Sequence, residues 1–487
     1  MPNIIQAKNN RPMIIYSLLL HMLLFWGCSK SGNDGPSTPP VTTPLTNEVD
    51  VWVTTGDQAS KLLKQTSVLA FTQSPNNYPV IAIDSSTIYQ NIDGFGFTLT
   101  GGSAMLLGQM SSFSRENILQ EMFGCAGEQA CISYLRLSMG ASDLDDRVFS
   151  YNDLPAGQED LNLTSFSLSR DTIHLIPILK EILKIQPGIK FMASPWSPPV
   201  WMKSNGSSIG GNLLSKYNDV YADYFVKYLK SMENNGIKID AVTIQNEPQH
   251  GGNNPSLVMS AGEQAQFIKK HLGPKFRSAG LNTKIIIWDH NCDRPEYPVS
   301  ILNDSEAKSF IDGSAFHLYA GDISALSQVH NAHPDKNLYF TEQWTGANGS
   351  FDGDLQWHVK NVVIGSMRNW SKVALEWNLA SDPLFDPHTP GGCTQCKGAL
   401  TINKNIVTKN VGYYIIAHAS RFVPTGSVRI ESNTISNVHQ VVFLTPKGKK
   451  VMLALNETDK SEIFNIQYKG KKVLVSMQAH SVATFVW

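Results

Sequence analysis

Eight short apolar runs recur between residues 91 and 419, and segments with helical periodicity separate them. Most of the runs are continuous rather than alternating in polarity, which is typical of strands buried on both faces. One separating segment, 217–234, repeats aromatic residues at helical spacing and is followed by Asn235-Gly236, a helix stop signal. Strands that alternate with helices form parallel sheets, and eight of them predict a (β/α)8 barrel with long loops. The predicted strands are 92–98, 132–137, 190–193, 241–245, 284–288, 314–318, 338–341 and 373–377, and the clearest helices are 172–185, 217–234, 262–272 and 355–370.

A different pattern begins after the barrel. Short β-prone runs follow one another there, with turn signals such as Pro446-Lys447-Gly448 and no helical pattern between them. The stretch before the barrel is also strand-like, as in Val51-Trp52-Val53. We expect the two stretches to pair, so that an accessory β-sandwich is built from both chain ends. The predicted divisions are sandwich strands in 48–90, a catalytic barrel in 91–420 and the C-terminal sandwich in 421–487, with C-terminal strands at 438–444, 450–455, 463–468, 472–477 and 482–487.

Composition limits the class of partner. The chain has 487 residues, a formal net charge of -1 and 42% hydrophobic residues, which fits a soluble globular protein with one large core or two unequal ones. A near-neutral chain has no field that would attract nucleic acid or an anionic membrane. The sequence also shows no basic run and no phosphate-binding glycine loop. We therefore expect no nucleic-acid partner, and we also expect a monomer.

The N-terminus has the pattern of an export signal. Lys8 and Arg11 precede an apolar run, 13–26, that is too short for a comfortable membrane span but suits a signal peptide. The run ends at Gly27-Cys28, which resembles a bacterial lipoprotein signal, and a polar tether follows. The bulky pair Phe25-Trp26 keeps a plain secretory signal as the alternative. Either interpretation predicts an exported protein, with a signal in 1–28 and a tether in 29–47. The lipoprotein interpretation adds membrane attachment through an N-terminal lipid anchor alone, in the periplasm or on the outer-membrane surface.

Export makes the cysteines interpretable. If Cys28 carries the lipid, five of the six cysteines remain. Cys125/Cys131 and Cys393/Cys396 are spaced closely enough to pair locally, which leaves Cys292. The second pair lies in a Gly/Pro-rich loop without the further ligands of a zinc site or the strand-to-helix context of a redox motif. A disulfide that clamps this loop is the better interpretation.

Two glutamates follow predicted strands four and seven. Glu247 stands in Gln245-Asn246-Glu247-Pro248, and Glu342 in Thr341-Glu342-Gln343-Trp344. The carboxyl ends of parallel barrel strands open on one face, so these residues can meet there. A facing pair of carboxylates is the minimal equipment for breaking a glycosidic bond, and retaining hydrolysis needs them about 5–5.5 Å apart. The alternative is a structural pair of buried glutamates.

The chain resembles glycoside hydrolase family 30, the family of glucosylceramidases and bacterial β-1,6-glucanases, over essentially its whole mature length. The resemblance is carried by blocks in the same order along the chain. These are Asp93-Gly94-Phe95-Gly96, Leu137-Ser138-Met139-Gly140-Ala141-Ser142-Asp143, Ala193-Ser194-Pro195-Trp196-Ser197-Pro198-Pro199-Val200-Trp201-Met202-Lys203, Gln245-Asn246-Glu247-Pro248, Phe316-His317-Leu318-Tyr319, Phe340-Thr341-Glu342, Glu376-Trp377-Asn378-Leu379 and Phe422-Val423-Pro424-Thr425-Gly426-Ser427.

The resemblance implies a barrel with a β-sandwich from both termini and assigns roles to particular residues. Glu247 would be the general acid/base and Glu342 the nucleophile, with no cofactor and no metal. Asn246 would hold the sugar 2-hydroxyl, and Tyr319 would donate to Glu342. The remaining expected sugar contacts, each of which could instead be ordinary packing, are Asp143, Trp196, His317 and Trp377, with Asn378 as a weaker candidate.

Aromatic residues at the loop mouths leave two interpretations open. Trp344, together with Trp288 and His290, could form a stacking platform for a second sugar or a buried hydrophobic anchor. Gln245 and Gln343-Trp344 depart from the animal glucosylceramidases, which disfavours a ceramide-linked substrate.

The leading hypothesis is an exported, retaining β-1,6-glucanase. A glucosylceramidase, or an exo-acting β-glucosidase, β-xylosidase or β-fucosidase on the same scaffold, is the nearest alternative. A glycan-binding surface lipoprotein without turnover is the alternative from another class, and it has no need for both Glu247 and Glu342. A metal-dependent hydrolase is disfavoured because no His/Asp/Glu cluster in the sequence has ligand spacing.

Overall fold

The computed structural model of the protein describes residues 46–487. The expected signal segment, the expected lipid attachment at Cys28 and the expected tether up to residue 45 therefore lie outside the described residues. Within 46–487, no helix combines the length and the apolar character that crossing a membrane would require.

Eight parallel strands close into a barrel, which confirms the predicted fold class. Each predicted strand is present, with ends that differ by a few residues. The strands lie in sequence order around the barrel, and the last one pairs with the first, with Val373 opposite Gly94. They span Gly94–Leu99, Tyr134–Ser138, Lys190–Ser194, Ala241–Thr243, Lys284–Cys292, Ile311–Gly321, Asn337–Glu342 and Ser371–Glu376.

Side chains rather than a channel fill the barrel interior. A buried cluster draws one or two residues from each strand except the first, including Tyr134, Met192 and Tyr339. The first strand passes close to its neighbour, because a Cβ on Gly96 would lie 1.8 Å from the carbonyl oxygen of Tyr134. Glycine is therefore required at the Asp93-Gly94-Phe95-Gly96 block.

Helices surround the barrel, and two of the predicted helices are interrupted by π-helical turns, at Ile268–Leu272 and Val359–Gly365. Such turns insert an extra residue into the helical repeat. Short 3-10 segments occur at Val200–Met202 and Ser215–Tyr217. The α-helices are Gly101–Gln109, Ser112–Phe123, Leu175–Ile185, Asn218–Asn234, Ala261–Phe267, Gly273–Ser278, Glu296–Leu302, Ser305–Lys308, Ala325–Ala332, Phe351–His358, Ser366–Arg368 and Val411–Ser420.

Nine strands from both chain ends form the second sheet. Asp50–Thr55 pairs antiparallel with Ser481–Val486, which is the pairing that the sequence predicted. Val80–Asn91 pairs at its start with Glu462–Tyr468 and along the rest with Val428–Ser432. The spatial order is Leu63–Lys64, Asp50–Thr55, Ser481–Val486, Lys450–Asn456, Val438–Leu444, Val428–Ser432, Val80–Asn91, Glu462–Tyr468 and Lys471–Met477.

The strand Val428–Ser432 was not among the predicted C-terminal strands. Its residues Arg429 and Glu431 make it look polar, although Ile430 packs into the sandwich core. The Arg429 guanidinium instead lies 3.6 Å from the ring centre of Tyr89, so this charged residue is covered by the neighbouring strand. Short strands also occur in the loops after barrel strands seven and eight, at Thr345–Gly346, Ala380–Ser381, Cys396–Lys397, Leu400–Asn403 and Ile406–Lys409.

Polar contacts join the sheet to the barrel. His418, on the last helix, is fully buried and contacts the hydroxyls of Thr54 and Thr484 at 2.8 and 2.9 Å. Burial lowers the pKa of His418 to about 3, so it is a neutral hydrogen-bonding group at this junction. The barrel and the sheet therefore share a buried interface rather than a flexible connection.

Both expected disulfides form. Cys125 is bonded to Cys131 and Cys393 to Cys396. Among the described cysteines, Cys292 alone is unpaired, and it is buried in the barrel core.

Candidate active site

Glu247 and Glu342 meet at the carboxyl end of the barrel. Glu342 is the last residue of strand seven, and Glu247 follows strand four by a short extension whose backbone still pairs with its neighbours. The amide of Glu247 donates to the carbonyl of Asp289 at 3.0 Å. One carboxylate oxygen of each glutamate lies within 4.8 Å of the other. Both side chains line a cavity of about 270 Å³.

A fully buried arginine organises the site. Arg136, from strand two, donates to Glu342 at 2.6 Å, to the side-chain oxygen of Asn246 at 2.6 Å and to Asp289 at 2.8 Å. Its guanidinium also lies 4.8 Å from the ring centre of Trp196. One cation therefore contacts residues that come from four different barrel strands or the loops after them.

Asp289 lies behind the two glutamates and accepts hydrogen bonds from several neighbouring side chains. It has no exposed surface, and it accepts hydrogen bonds from Arg136 and from the hydroxyls of Thr243 and Thr341, each of these last two at 2.7 Å. Burial alone would raise the pKa of Asp289, but Arg136 and His317 outweigh burial and hold the pKa well below its ordinary value. Asp289 is therefore a fixed negative charge.

His317 links this charge to the two glutamates. Its Nε2 lies 3.1 Å from Asp289, and its Nδ1 lies 3.1 Å from Glu247 and 3.6 Å from Glu342. Burial alone would lower the pKa of His317, but the three carboxylates outweigh burial and raise the pKa to about 9. Because both ring nitrogens face carboxylates, His317 is an imidazolium that donates from each nitrogen.

The two glutamates have different hydrogen-bond partners. Glu342 accepts from Arg136 and, at 3.0 Å, from the hydroxyl of Tyr319. Glu247 contacts His317 and, at 3.4 Å, the amide of Asn253.

The pKa shifts of the two glutamates do not follow directly from these hydrogen bonds. Burial raises the pKa of Glu342, and the charges of His317 and Arg136 offset only part of the rise. Burial also acts on Glu247, but His317 outweighs it and lowers the pKa. A nucleophile should have the lower pKa of the pair and a general acid the higher one, so these two shifts are in the opposite order. Because the pair shares one imidazolium, ionisation of either carboxyl disfavours ionisation of the other. We assign the negative charge to Glu342, since the permanently charged Arg136 donates directly to it.

An aromatic wall lies beside the carboxylates. The rings of Trp196 and Trp377 are 5.5 Å apart, and they pack with Cys396 of the loop disulfide. Trp344 packs against the same cluster and lines the cavity. Burial and the charges of Glu342 and Glu247 raise the pKa of Asp143 to about 7, so near neutral pH this side chain can donate or accept a hydrogen bond.

The structure brings the sequence-predicted site residues together in two layers. Five of them line the cavity with the glutamates, and these are Asp143, Trp196, Tyr319, Trp344 and Trp377. Asn246 and His317 lie directly behind, in contact with Arg136 and Glu247 respectively.

Three further candidates from the sequence differ from one another. His290 lines the cavity, and burial lowers its pKa to about 4, so it is neutral. Trp288 instead packs on Tyr297 and donates to a backbone carbonyl, which makes it a hydrophobic anchor. Asn378 accepts from the hydroxyl of Ser103 at 2.7 Å, and its partners are structural.

Sequence reasoning missed several residues of the site. Arg136 had a visible signal, because it is a single charge inside the apolar run Leu135-Arg136-Leu137. Asp289 interrupts a similar run after Trp288. Three other cavity-lining residues had no such signal, and these are His250 and Asn253 in the loop after strand four and Asn291 near the end of strand five.

Backbone strain concentrates at this end of the barrel. Glu247, Trp288, Asp289 and Asn378 have positive φ angles of 47°, 70°, 64° and 77°. Residues other than glycine adopt this conformation at a cost, and such residues cluster at functional sites. Two of the four, Glu247 and Asp289, belong to the site, and their backbone conformation sets the direction of their side chains.

The spacing of Glu247, His317 and Glu342 would also be short enough to hold a metal ion. The contacts of His317 favour hydrogen bonding over metal ligation, because both of its ring nitrogens already lie 3.1 Å from carboxylates and a metal would have to displace the proton on Nδ1. Its charge takes the place that a cation would occupy between the carboxylates.

Comparison with known proteins agrees with this geometry. The glycosyl hydrolase family 30 TIM-barrel domain matches residues 92–423, and the family 30 beta sandwich domain matches residues 426–485.

Individual relatives extend over most of the chain. An endo-1,6-beta-D-glucanase of Aspergillus fumigatus is 33% identical over 430 residues, which cover 82% of this chain and 86% of the relative. The lysosomal acid glucosylceramidase of Mus musculus is 27% identical and covers 82% and 81%. A solved endo-beta1,6-glucanase superposes with a TM-score of 0.84 at 33% identity, over 90% of this chain and 99% of that one.

Proposed function

The chain belongs to glycosyl hydrolase family 30 and is an O-glycosyl hydrolase, and on this basis we propose that it is an exported, retaining β-1,6-glucanase. The observation that carries the proposal is the pair Glu247 and Glu342, whose oxygens approach within 4.8 Å across the barrel mouth. Retaining glycosidases hold their two carboxyl groups about 5–5.5 Å apart, whereas inverting enzymes leave room for a water between them.

Each glutamate has one role in the first step. A carboxylate oxygen of Glu342 bonds to the anomeric carbon as the bond to the departing oxygen breaks. Glu247 gives its proton to that oxygen, so the leaving sugar departs as an alcohol and a glycosyl-enzyme remains.

In the second step the proton transfer runs in the opposite direction. Glu247, now a carboxylate, takes a proton from water as the water oxygen attacks the anomeric carbon and the bond to Glu342 breaks. Arg136 and Tyr319 receive the restored carboxylate of Glu342 without moving, because they already donate to it at 2.6 and 3.0 Å. Such preorganised donors stabilise developing charge at no reorganisation cost.

Residues that line the cavity or lie directly behind it supply the contacts with the sugar. Arg136 fixes the side-chain oxygen of Asn246, which leaves the Asn246 amide group to donate toward the sugar 2-hydroxyl. Asp143 reaches the same cavity, where its carboxyl can bind other hydroxyls, and Trp196, Trp377 and Trp344 offer apolar faces to the ring.

The substrate and the location rest on different support. Two of the similar proteins, the fungal relative and the solved structure, are named as β-1,6-glucanases, and this favours a β-1,6-glucan. Export is supported by the charged and apolar pattern before Cys28. The mouse relative favours glucosylceramidase activity as the second candidate, and an exo-β-glucosidase or β-xylosidase would use the same carboxyls.

One product analysis tests these alternatives. The purified protein is incubated with β-1,6-glucan, β-1,3-glucan, an aryl β-glucoside, an aryl β-xyloside and glucosylceramide. We expect short gluco-oligosaccharides from the β-1,6-glucan, with the β-anomer formed first in the proton NMR spectrum. Release of ceramide alone would make it a glucosylceramidase, and first formation of the α-anomer would contradict the retaining mechanism.

A chelator tests the assignment of His317 as an imidazolium rather than a metal ligand. We expect overnight EDTA treatment to leave turnover of the aryl glucoside unchanged. A reproducible loss that zinc or calcium restores would contradict this assignment.

A further inference from the structure

A lysine outside the catalytic cluster is buried without an acidic partner. Lys203 is 3% exposed, and its ammonium donates to the hydroxyl of Ser197 at 3.0 Å and to the carbonyls of Ser208 and Ser256 at 3.1 and 2.6 Å. Among the described residues no carboxylate lies within 4.0 Å of it. All three of its protons are therefore used by neutral oxygens, and burying an ammonium in this way is costly.

These acceptors belong to two different loops. Ser197 and Ser208 follow barrel strand three, whereas Ser256 lies in the segment 248–259, which begins directly after Glu247. We call this segment the acid loop. Lys203 thus ties the acid loop to the loop before it in the barrel.

A second contact ties the acid loop to a third loop. The side chain of Asn254 accepts from the hydroxyl of Ser208 at 2.7 Å and donates to the carbonyl of Pro390 at 2.9 Å. Pro390 precedes the disulfide Cys393–Cys396, whose sulfur-bearing residues line the cavity. Three loops are therefore joined through polar side chains on one side of the barrel mouth.

The acid loop carries two side chains into the cavity. His250 and Asn253 both line it, and the amide of Asn253 lies 3.4 Å from Glu247. The backbone amide of His250 donates to the carbonyl of Glu247 at 2.8 Å. In a retaining glycosidase the acid stands beside the departing oxygen, so side chains next to its carboxyl face the leaving group rather than the sugar that becomes bonded to the nucleophile.

We propose that Lys203 and Asn254 are positioning residues that hold the acid loop as the binding wall for the leaving-group sugar. The polar side chains of His250 and Asn253 would bind hydroxyls of that sugar, and the anchors keep these side chains in place before substrate arrives. The inference rests on the proposed function, because the acid loop belongs to the same active site and would distinguish a sugar leaving group from a small one. Anchoring matters here because a displacement of about 1 Å in a substrate contact can cost about 100-fold in rate.

The test compares two substrates of one enzyme. A β-1,6-linked gluco-oligosaccharide needs leaving-group contacts, whereas 2,4-dinitrophenyl β-glucoside has a leaving group that departs without protonation and has no second sugar. For Lys203→Met we expect kcat/KM to fall about 10- to 100-fold on the oligosaccharide, mainly through KM, and about threefold or less on the aryl glucoside. Asn254→Ala is the milder second variant, with the same direction and a smaller loss. Lys275→Met is the matched control, because Lys275 pairs with Asp223 on the outer helices.

A second readout requires no turnover. Amide hydrogen exchange within 248–259 is expected to rise in Lys203→Met and to stay unchanged in Lys275→Met. Equal losses on both substrates would overturn the proposal, because Lys203 would then support the part of the site that both substrates use. A loss on the oligosaccharide that lies in kcat rather than in KM would overturn it as well, because the lysine would then support proton transfer by Glu247. Unchanged exchange in the acid loop would also overturn it. Failure of the proposed function is distinguishable, since the wild-type protein would then cleave a different substrate of the panel, and the same ratio would be measured on that substrate.

Discussion

The two ends of the barrel carry similar residues in different environments. At the mouth, Arg136, Asp289 and Glu342 make contacts of 2.6 to 2.8 Å with side chains at most 7% exposed. At the opposite end, Asp93 faces Lys190, Lys284 and Lys372 at 2.8, 3.8 and 3.7 Å, and these lysine side chains are 14 to 35% exposed.

The difference lies in burial and in supporting hydrogen bonds rather than in the kinds of charge. Charges with little water around them interact strongly and require well-placed partners, whereas partly exposed pairs contribute little. At the mouth Asp289 has hydroxyl donors as well as cations, so its position is fixed. We infer that the mouth is built for catalysis and that the base only closes the barrel.

The largest effect is expected when the negative charge at the mouth is removed. Glu342→Gln keeps the shape of the side chain but cannot form the glycosyl-enzyme, so we expect turnover of β-1,6-glucan to fall by at least about 10⁴-fold. The measurement is kcat on the glucan, with thermal unfolding as the control for folding. Near-normal activity in this variant would exclude Glu342 as the nucleophile.

The second expected effect depends on the leaving group. Glu247→Ala removes proton transfer, so a loss of about 10²- to 10⁴-fold is expected on gluco-oligosaccharides and a much smaller loss on activated aryl glucosides. Azide can enter the space that the side chain leaves and attack the glycosyl-enzyme. We expect azide to restore the rate on aryl glucosides, and to yield a β-glycosyl azide. If azide has no effect, Glu247 is not the acid/base.

The sequence allowed the position of the mouth to be predicted, but not the contacts that hold its charges in place. The apolar runs gave all eight strands, and the glutamates at the ends of two of them located the mouth. The partners of Arg136 could not be predicted, because Asn246, Asp289 and Glu342 come from three different strands or the loops after them and only barrel closure brings them together. The same holds for Lys203, whose acceptors lie in loops with no periodic pattern.

Smaller missed features have local causes. The strand Val428–Ser432 alternates apolar and polar residues over its first four positions, and its two charged side chains find hydrogen-bond partners on the neighbouring strand. Predicted helices 262–272 and 355–370 contain π-helical turns that apolar periodicity does not reveal.

The third expected effect is a pH dependence of stability that belongs to the mouth. Because the folded-state pKa of His317 is raised from an ordinary value of 6.5 to about 9, its charged form stabilises the fold. This contribution is complete below pH 6.5 and is lost as pH rises toward 9, with an upper bound of about 3 kcal/mol. We expect the free energy of unfolding of the wild type to fall across this range. His317→Gln should be less stable at pH 6 and should show a flatter dependence between pH 6.5 and 9. An unchanged slope in this variant would place the titrating group elsewhere.

The smallest effect is expected at the base, on a strand that also reaches the mouth. Lys284 and Asp289 belong to the same strand, Lys284–Cys292, but the Lys284 side chain is 35% exposed and its two acidic neighbours are 3.8 Å away. For Lys284→Met we expect a loss of less than about 1 kcal/mol in the free energy of unfolding, reduced further by salt, and a kcat within about twofold of the wild type. Urea unfolding at two salt concentrations and turnover of an aryl glucoside provide the measurements. A large loss of kcat without a loss of stability would show that charges at the base reach the catalytic carboxylates through the strand, and the two ends could then no longer be treated as separate.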